Sequence, residues 1–334
     1  MVEKLLSIIV PVYNVEPYIK ECLDSLVLDN ESLMERLEVI VVNDGTPDRS
    51  AEISREYVGR FPETFRQIDK ENGGHGSALN VGLKEVRGKY IRFLDSDDWL
   101  TDLDVFMEKL EGCDADLVIT RERRCYVHTG TVVVSSSPKT VDKILPIGRI
   151  DISEFDEYNV ITNLSYSSYK ASWMKPLYPL FLEGVLYDDA ILYIVPLLFA
   201  CSYCAFDLVL YNYRLGREGQ SMDMERQIKR IPDRLKVLQQ MESYIASSQR
   251  GGDRNTSDLL DVMMNDRRSI LIKLIAMVKP YRKAASFNNT LKSIGSGIVK
   301  PCSKQTARYN KYPFFLFYLI ERGRSLYHQY FLHV

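Results

Sequence analysis

The chain has 334 residues, 46% hydrophobic and 26% charged, a composition that excludes a disordered chain, a collagen-like repeat and a disulfide-dense scaffold. Its formal charge of −2 hides an uneven distribution: residues 225–334 carry 20 basic and 8 acidic side chains, and residues 1–224 carry 23 and 37. The length fits about two domains, and the charge asymmetry predicts different work for the two parts.

Residues 5–10 form a short apolar run that stops at Pro11, the pattern of a buried strand. Residues 15–28 place Ile19, Cys22, Leu23 and Leu26 at helical spacing. Residues 37–42 predict a second strand ending at Asn43-Asp44-Gly45, and Asp48 or Ser50 caps a helix that runs towards Phe61. Residues 65–69 give a third strand, after which the turn Asn72-Gly73-Gly74-His75-Gly76 opens a helix through Ala78, Leu79 and Leu83. A fourth strand, residues 89–94, terminates in Asp95-Ser96-Asp97-Asp98-Trp99, and residues 115–120 give a fifth.

Residues 131–135 read as half of a hairpin, residues 187–200 as a helix and residues 204–213 as a strand. Beyond Met224 the spacing is helical over residues 228–246, 259–278 and 313–330, with a loop at 247–257. The alternation predicts an α/β fold: a mainly parallel, Rossmann-like sheet with helices on both faces and a C-terminal helical subdomain. Six cysteines and a start without an apolar leader predict a reducing, cytoplasmic setting. Cys201 and Cys204 lie in an apolar run and are expected to be two buried small hydrophobes. The longest uncharged run, residues 190–206, is 17 residues long and contains Pro196, too little for a convincing membrane span.

Open α/β sheets bind ligands at the carboxyl ends of their strands. Here those ends carry Val12-Tyr13-Asn14, Asp44-Gly45 and Asp95-Ser96-Asp97. Crowded carboxylates repel one another and need a cation or a hydrogen-bonding ligand to stay ionised. Asp95 and Asp97, two residues apart at a turning strand end, can aim at one hard cation, magnesium or manganese, with substrate phosphates completing its shell. On this pair alone, an aspartate capping the helix that starts near Leu100 is an equally good account.

The series Ser7-Ile8-Ile9-Val10-Pro11-Val12-Tyr13-Asn14, then Val41-Val42-Asn43-Asp44-Gly45-Thr46-Pro47-Asp48, then residues 72–80, then Phe93-Leu94-Asp95-Ser96-Asp97-Asp98-Trp99 closely resembles the family 2 glycosyltransferases. The resemblance is strong over residues 5–110, weaker to about residue 213, and lost in the last third. It implies a GT-A fold, with a catalytic domain over residues 1–224 that binds a nucleotide sugar through residues 1–120 and an acceptor through residues 121–224. Pro11, Val12, Tyr13 and Asn14 would form the base pocket, with Tyr13 on the uracil face and Asp44 accepting from a ring N–H. Gly74, His75, Asp95 and Ser96 would face the donor, and Asp95 and Asp97 would ligate Mn²⁺ or Mg²⁺. His75 stands where the family often has an arginine nearby, which leaves a donor role and a surface-loop role side by side.

The family also has a Glu-Asp pair at a helix start whose second acid is the base. Asp188 and Asp189 match it with Asp for Glu, and a carboxylate at a helix N-terminus is well held for that task. Arg214, in a Tyr-x-Tyr-Arg segment with Tyr211 and Tyr213, pairs with the diphosphate or makes a structural salt bridge. The implied reaction is an inverting transfer from a UDP-sugar to a hydroxyl of a glycan acceptor on protein or lipid, in the setting of bacterial surface polysaccharide or adhesin glycosylation. A catalytically silent relative is the alternative, but its signature, loss of Asp97 or of the base, is missing. A nucleotide-sugar synthesising enzyme would need a basic, glycine-rich loop after the first strand, which residues 11–14 do not provide.

Residues 225–334 read as a basic helical accessory domain, and residues 267–334 carry 13 basic residues against the single acid Glu321, with aromatics interleaved. Three accounts compete: peripheral contact with anionic lipid at the inner membrane face, a grip on the acceptor, and a helical core or homo-oligomer interface; an acceptor-binding or assembly module is the preferred expectation. Nucleic acid is not an expected partner, given the acidic catalytic part.

Overall fold

The structure, a computed structural model, describes residues 2–138, 140–147, 164–217, 224–248, 254–295 and 304–331. The chain divides into two compact units, residues 1–218 and 219–334.

In the first unit, β1 (Leu6–Val12), α1 (Ile19–Asp24), α2 (Glu31–Arg36), β2 (Leu37–Asn43), α3 (Ser50–Arg60), β3 (Phe65–Asp69), α4 (His75–Glu85) and β4 (Tyr90–Phe93) alternate along the chain. They are followed by β5 (Trp99–Leu100), α5 (Leu103–Glu111), β6 (Leu117–Tyr126), β7 (Val132–Val134), β8 (Leu145–Pro146), β9 (Ser167–Lys170), α6 (Ala171–Met174), α7 (Val195–Phe199) and β10 (Ser202–Leu215). These strands form one sheet in the order β3-β2-β1-β4-β9-β6-β10-β5, with β7 on β6 and β8 on β10. β3, β2, β1 and β4 are parallel. β9 enters antiparallel to both β4 and β6, so the second half is mixed, although β6 and β10 again run parallel.

Every residue of β1 and β2 is buried, which is why both are mostly apolar, as a strand covered on both faces must be; the buried Ser7 hydroxyl donates to the Glu38 carboxylate across the pair. Each fully buried Leu, Ile or Val there contributes roughly 1.5–3 kcal/mol. α4 crosses β1 so closely that a Cβ on Gly82 would sit 2.3 Å from Ile9 Cγ2. That contact fixes the helix, and with it the turn at its N-terminus.

Three local expectations change. The helix expected over residues 15–28 shrinks to α1, because the Ser25 hydroxyl donates to the Cys22 carbonyl and closes the last turn. The helix expected over residues 187–200 is two short pieces, a 3₁₀ segment Asp188–Tyr193 and then α7. Pro196 has no N–H for a continuing helix and its ring clashes one turn back, so the chain restarts with the proline in the first turn of α7. Cys204 is buried as expected, but Cys201 is exposed at the start of the strand.

In the second unit, α8 (Met224–Lys229), α9 (Ile231–Ser247), α10 (Arg254–Met277), α11 (Tyr281–Ser293), α12 (Lys304–Lys311) and α13 (Phe314–Phe331) are helical throughout. Its core includes Phe317, edge-on to Tyr309 at 5.3 Å between ring centres. The hydroxyl of Tyr309 donates to Asn288 Oδ1 at 2.8 Å and that of Tyr318 to the Val278 carbonyl at 2.9 Å, so both polar tips are satisfied inside the unit. Among the described residues no helix is long and apolar enough to cross a membrane.

Candidate active site at the strand ends

The parallel register brings the ends of β1, β2 and β4 to one margin of the sheet. Beyond β1, Tyr13 is 50% exposed and Asn14 turns the chain with φ +55°. Val12 is fully buried and its carbonyl accepts from the Asp44 N–H at 3.0 Å. Pro11 is also buried. Of the residues expected to form the base pocket, Tyr13 and Asn14 expose side chains at this rim, and Pro11 and Val12 are buried directly behind them. The Asn14 N–H donates to Thr46 Oγ1 at 2.8 Å and the Glu16 N–H to Asp48 Oδ2 at 2.9 Å, tying the loop after β1 to the one after β2.

Asp44 is buried, and its carboxylate accepts from the N–H groups of Gly73 (2.9 Å) and Gly74 (2.8 Å) and from Lys70 Nζ. Its observed work is to pin the glycine-rich turn. Gly74 has φ +87°, a conformation L side chains rarely adopt. Helix α4 starts at once after it. A Cβ on Gly76 would lie 2.3 Å from the Leu182 carbonyl oxygen and 2.9 Å from Asp188 Oδ2, so the first turn of α4 presses directly on the segment carrying the acid pair. Four positions beyond Gly76, buried Asn80 accepts from the N–H groups of Leu180 and Phe181, each at 3.0 Å, and donates to the Phe181 carbonyl at 2.9 Å. Thus α4 carries the chain of residues 180–188 on its side.

His75 joins two expected site residues. Its Nδ1 lies 3.1 Å from Asp188 Oδ2 and its Nε2 lies 3.2 Å from Asp95 Oδ1. Burial alone would favour the neutral ring, but Asp188 and Asp95 outweigh it and hold the imidazole pKa well above its ordinary value. The surface-loop account of His75 is thereby set aside. Asp188 is 1% exposed, whereas Asp189 is only partly buried at the start of the 3₁₀ segment. The mount expected from a long helix is instead α4, Asn80 and the His75 ring.

Past β4 the chain reaches Asp95, Asp97 and Asp98, whose carboxylates each offer an oxygen within 4.8 Å of the others. Asp98, with Asp97 the candidate cap for a helix near Leu100, caps none, since α5 starts at Leu103; it is buried and accepts from the Tyr211 hydroxyl (2.6 Å) and the Arg214 N–H (2.8 Å). Burial, reinforced by Asp97 and Asp95, pushes its pKa well up. Asp97 is raised for the same reasons, burial first and then Asp95, with the guanidinium of Arg217 opposing the rise. Ser96 is buried between them. Asp95 meets His75 and Asp97 meets Arg217, so each of the three acids has a partner here, and their hard oxygens are of the kind magnesium or manganese takes.

Arg214 braces this loop. It donates to the Asp97 carbonyl at 2.8 Å, pairs with Glu21 at 2.6 Å, and lies 4.8 Å over the Trp99 ring and 5.1 Å over that of Tyr18. The second arginine, Arg217, pairs with the Asp97 carboxylate itself. Sequence reasoning missed Arg217, Asp98 and Asn80 as site residues. The third acid beside Asp95 and Asp97 was a signal for Asp98, whereas Asn80 offers no local pattern.

The sequence profile described as glycosyl transferase family 2 matches residues 7–164. An uncharacterised glycosyltransferase of Bacillus subtilis, EpsJ, is 52% identical over 97 residues, 29% of this chain and 27% of that protein. The putative glycosyltransferase EpsH of the same organism is 38% identical over 135 residues, 40% of this chain and 38% of that one. The chain thus spans well under two thirds of these relatives. Among solved structures, residues 1–349 of TarS from S. aureus, crystallised with UDP-GlcNAc, superpose with a TM-score of 0.68 at 20% identity, covering 87% of this chain and 82% of that one. That likeness gives the fold: a GT-A sheet with a helical C-terminal region.

Proposed function

We propose that this chain, whose residues 7–164 match the glycosyl transferase family 2 profile, transfers a sugar from a UDP-sugar to a hydroxyl of a glycan acceptor with inversion. The observation that carries the reading is that His75 links Asp95, one of the clustered acids Asp95, Asp97 and Asp98, to Asp188, the neighbour in sequence of Asp189. The TarS fragment of like fold was crystallised with UDP-GlcNAc and with UDP, which supports UDP as the nucleotide. A teichoic acid polymerase of Staphylococcus epidermidis, 38% identical over 112 residues, supports a cell-surface polymer as the acceptor class.

Tyr13 stacks on the base and Asn14 lies beside it. Asp44 holds the Gly73-Gly74 turn, and a remaining lone pair is what it offers to a ring N–H. Asp95 and Asp97 would hold Mn²⁺ or Mg²⁺; the three crowded carboxylates, two of them pushed towards protonation by burial and mutual repulsion, fit a divalent cation. Such an ion supplies charge stabilisation to the departing diphosphate. Asp189 removes the proton of the acceptor hydroxyl as its oxygen bonds to the anomeric carbon, and the bond from that carbon to the diphosphate oxygen breaks with its electron pair leaving on UDP. Asp188, buried under His75, positions the segment that carries Asp189. Arg214 keeps the aspartate loop in shape, and Arg217, paired with the Asp97 carboxylate, would be a cation for the diphosphate.

Residues 219–334 are proposed as an accessory unit serving the acceptor, a membrane surface or self-assembly. The test is UDP release from a panel of UDP-sugars with Mn²⁺, comparing the natural chain with Asp97→Ala and Asp189→Ala. Turnover is expected in the first and a loss of about 10²-fold or more in both variants; unimpaired turnover in a variant removes the role given to that residue.

A further inference from the structure

In a surface helix the face turned away from the core is normally polar. α13 breaks this rule. Phe317 and Tyr318 point into the second unit, while Phe315, Leu316 and Leu319 on the opposite side are 54%, 43% and 49% exposed. The apolar area continues onto neighbouring elements of the same unit. Phe315 meets the Tyr281 ring of α11 edge-on at 5.2 Å, and exposed Met277 lies at the end of α10, where Arg322 of α13 donates to its carbonyl at 3.4 Å.

The border of this area is cationic. Lys279 and Arg282, on either side of Pro280-Tyr281, and Lys311, three residues before α13, are exposed, and Arg322 lies half-buried on α13 itself. The one acid between Arg267 and the chain end, Glu321, is engaged by Arg308 and Gln305 on the inner side of the helix. The rim therefore offers positive charge with no exposed carboxylate of its own among the described residues of this stretch.

We propose that this face of α13 docks on an anionic lipid surface. Exposed leucines and a phenylalanine enter the acyl boundary, and the long side chains of Lys279, Arg282, Lys311 and Arg322 reach the phosphates around them. Two other occupants fit less well. A polyanionic glycan would use the cations but leaves Leu316 and Leu319 in water, because sugars stack on aromatic rings and not on leucines. An isologous second copy would set this positive rim against itself. The proposal goes beyond the donor chemistry above and does not depend on it, since lipid binding needs neither UDP nor a metal.

The experiment is flotation of the full chain with vesicles of phosphatidylcholine alone and of phosphatidylcholine mixed with phosphatidylglycerol, at low and high salt, beside sedimentation in the absence of lipid. Leu316→Asp with Leu319→Asp is one variant and Lys311→Glu with Arg282→Glu the other; all four positions are exposed, and circular dichroism checks that the helices persist. The natural chain is expected to bind the anionic vesicles and not the neutral ones, with salt weakening the binding. Both variants are expected to lose about tenfold or more in partitioning. Failure to bind anionic vesicles, or equal binding by the leucine variant, overturns the proposal. So does a natural chain that self-associates through this face and ignores lipid. UDP release in the same preparations is read separately, so an inactive but lipid-binding protein contradicts only the donor reading.

Discussion

The Nδ1 of His75 lies 3.1 Å from the carboxylate of Asp188 across 113 residues of sequence, and the same ring reaches Asp95 with its other nitrogen. The first residue of α4 therefore joins the acidic turn after β4 to the segment that bears Asp188 and Asp189. His75→Ala is predicted to lower kcat by about tenfold to a hundredfold through misplacement of Asp189. His75→Gln, which can still donate to one carboxylate, is predicted to recover part of that loss. Steady-state kinetics on the two variants check it, with unchanged kcat in His75→Ala as the contrary result.

Asn80 supports the same segment from one and a half turns further along α4. Asn80→Ala strands two buried N–H groups, those of Leu180 and Phe181, together with a carbonyl. An unpaired buried group costs roughly 1–3 kcal/mol, so a thermal or urea melt should show a loss of at least about 2 kcal/mol. Stability equal to the natural chain would mean that the segment does not depend on Asn80.

Asp48 gives a stability signal that depends on pH. Its burial opposes ionisation, but hydrogen bonds from Thr46, Ser50 and the Glu16 N–H prevail and hold its pKa below the usual carboxylate value. A group depressed in the folded state stabilises the fold above its unfolded pKa and loses that contribution as pH falls through the folded one. Asp48→Asn is therefore expected to cost about 1 kcal/mol at neutral pH, with the gap between variant and natural chain narrowing below about pH 4. A gap that widens on acidification contradicts this.

Asp188 and Asp189 are predicted to separate by what they disturb. Asp189→Asn should lower kcat by about 10²–10⁴-fold while leaving UDP affinity intact. Asp188→Asn should also destabilise the protein, because it removes the carboxylate from under the His75 ring. Equal turnover in Asp189→Asn and the natural chain would move the base elsewhere.

The parallel half of the sheet was legible in the sequence because β1, β2 and β4 are buried on both faces and stop at turn-forming residues, acidic after β2 and β4. The glycine-rich turn was legible as a helix start, since Gly74 needs a positive φ that an ordinary residue avoids. Other features hung on long-range contacts. The entry of β9 between β4 and β6 has no local signature. His75 looked equally like a loop residue until its partners, 20 and 113 positions away, were in place. Arg214 drew attention through its Tyr-x-Tyr-Arg setting, yet its guanidinium braces Trp99, Tyr18 and Glu21, and Arg217 three positions later meets Asp97. The helix over residues 187–200 failed for a reason that was visible: Pro196 stands inside it.

The central claim is that Asp95 and Asp97 hold a divalent cation on which the UDP diphosphate rests. Calorimetric titration of UDP into the natural chain and Asp97→Asn, each with Mn²⁺ and with chelator, tests it most directly. The account predicts tight binding only for the natural chain with Mn²⁺ and a loss of about tenfold or more in the other three mixtures. UDP affinity that is the same in all four mixtures would contradict it.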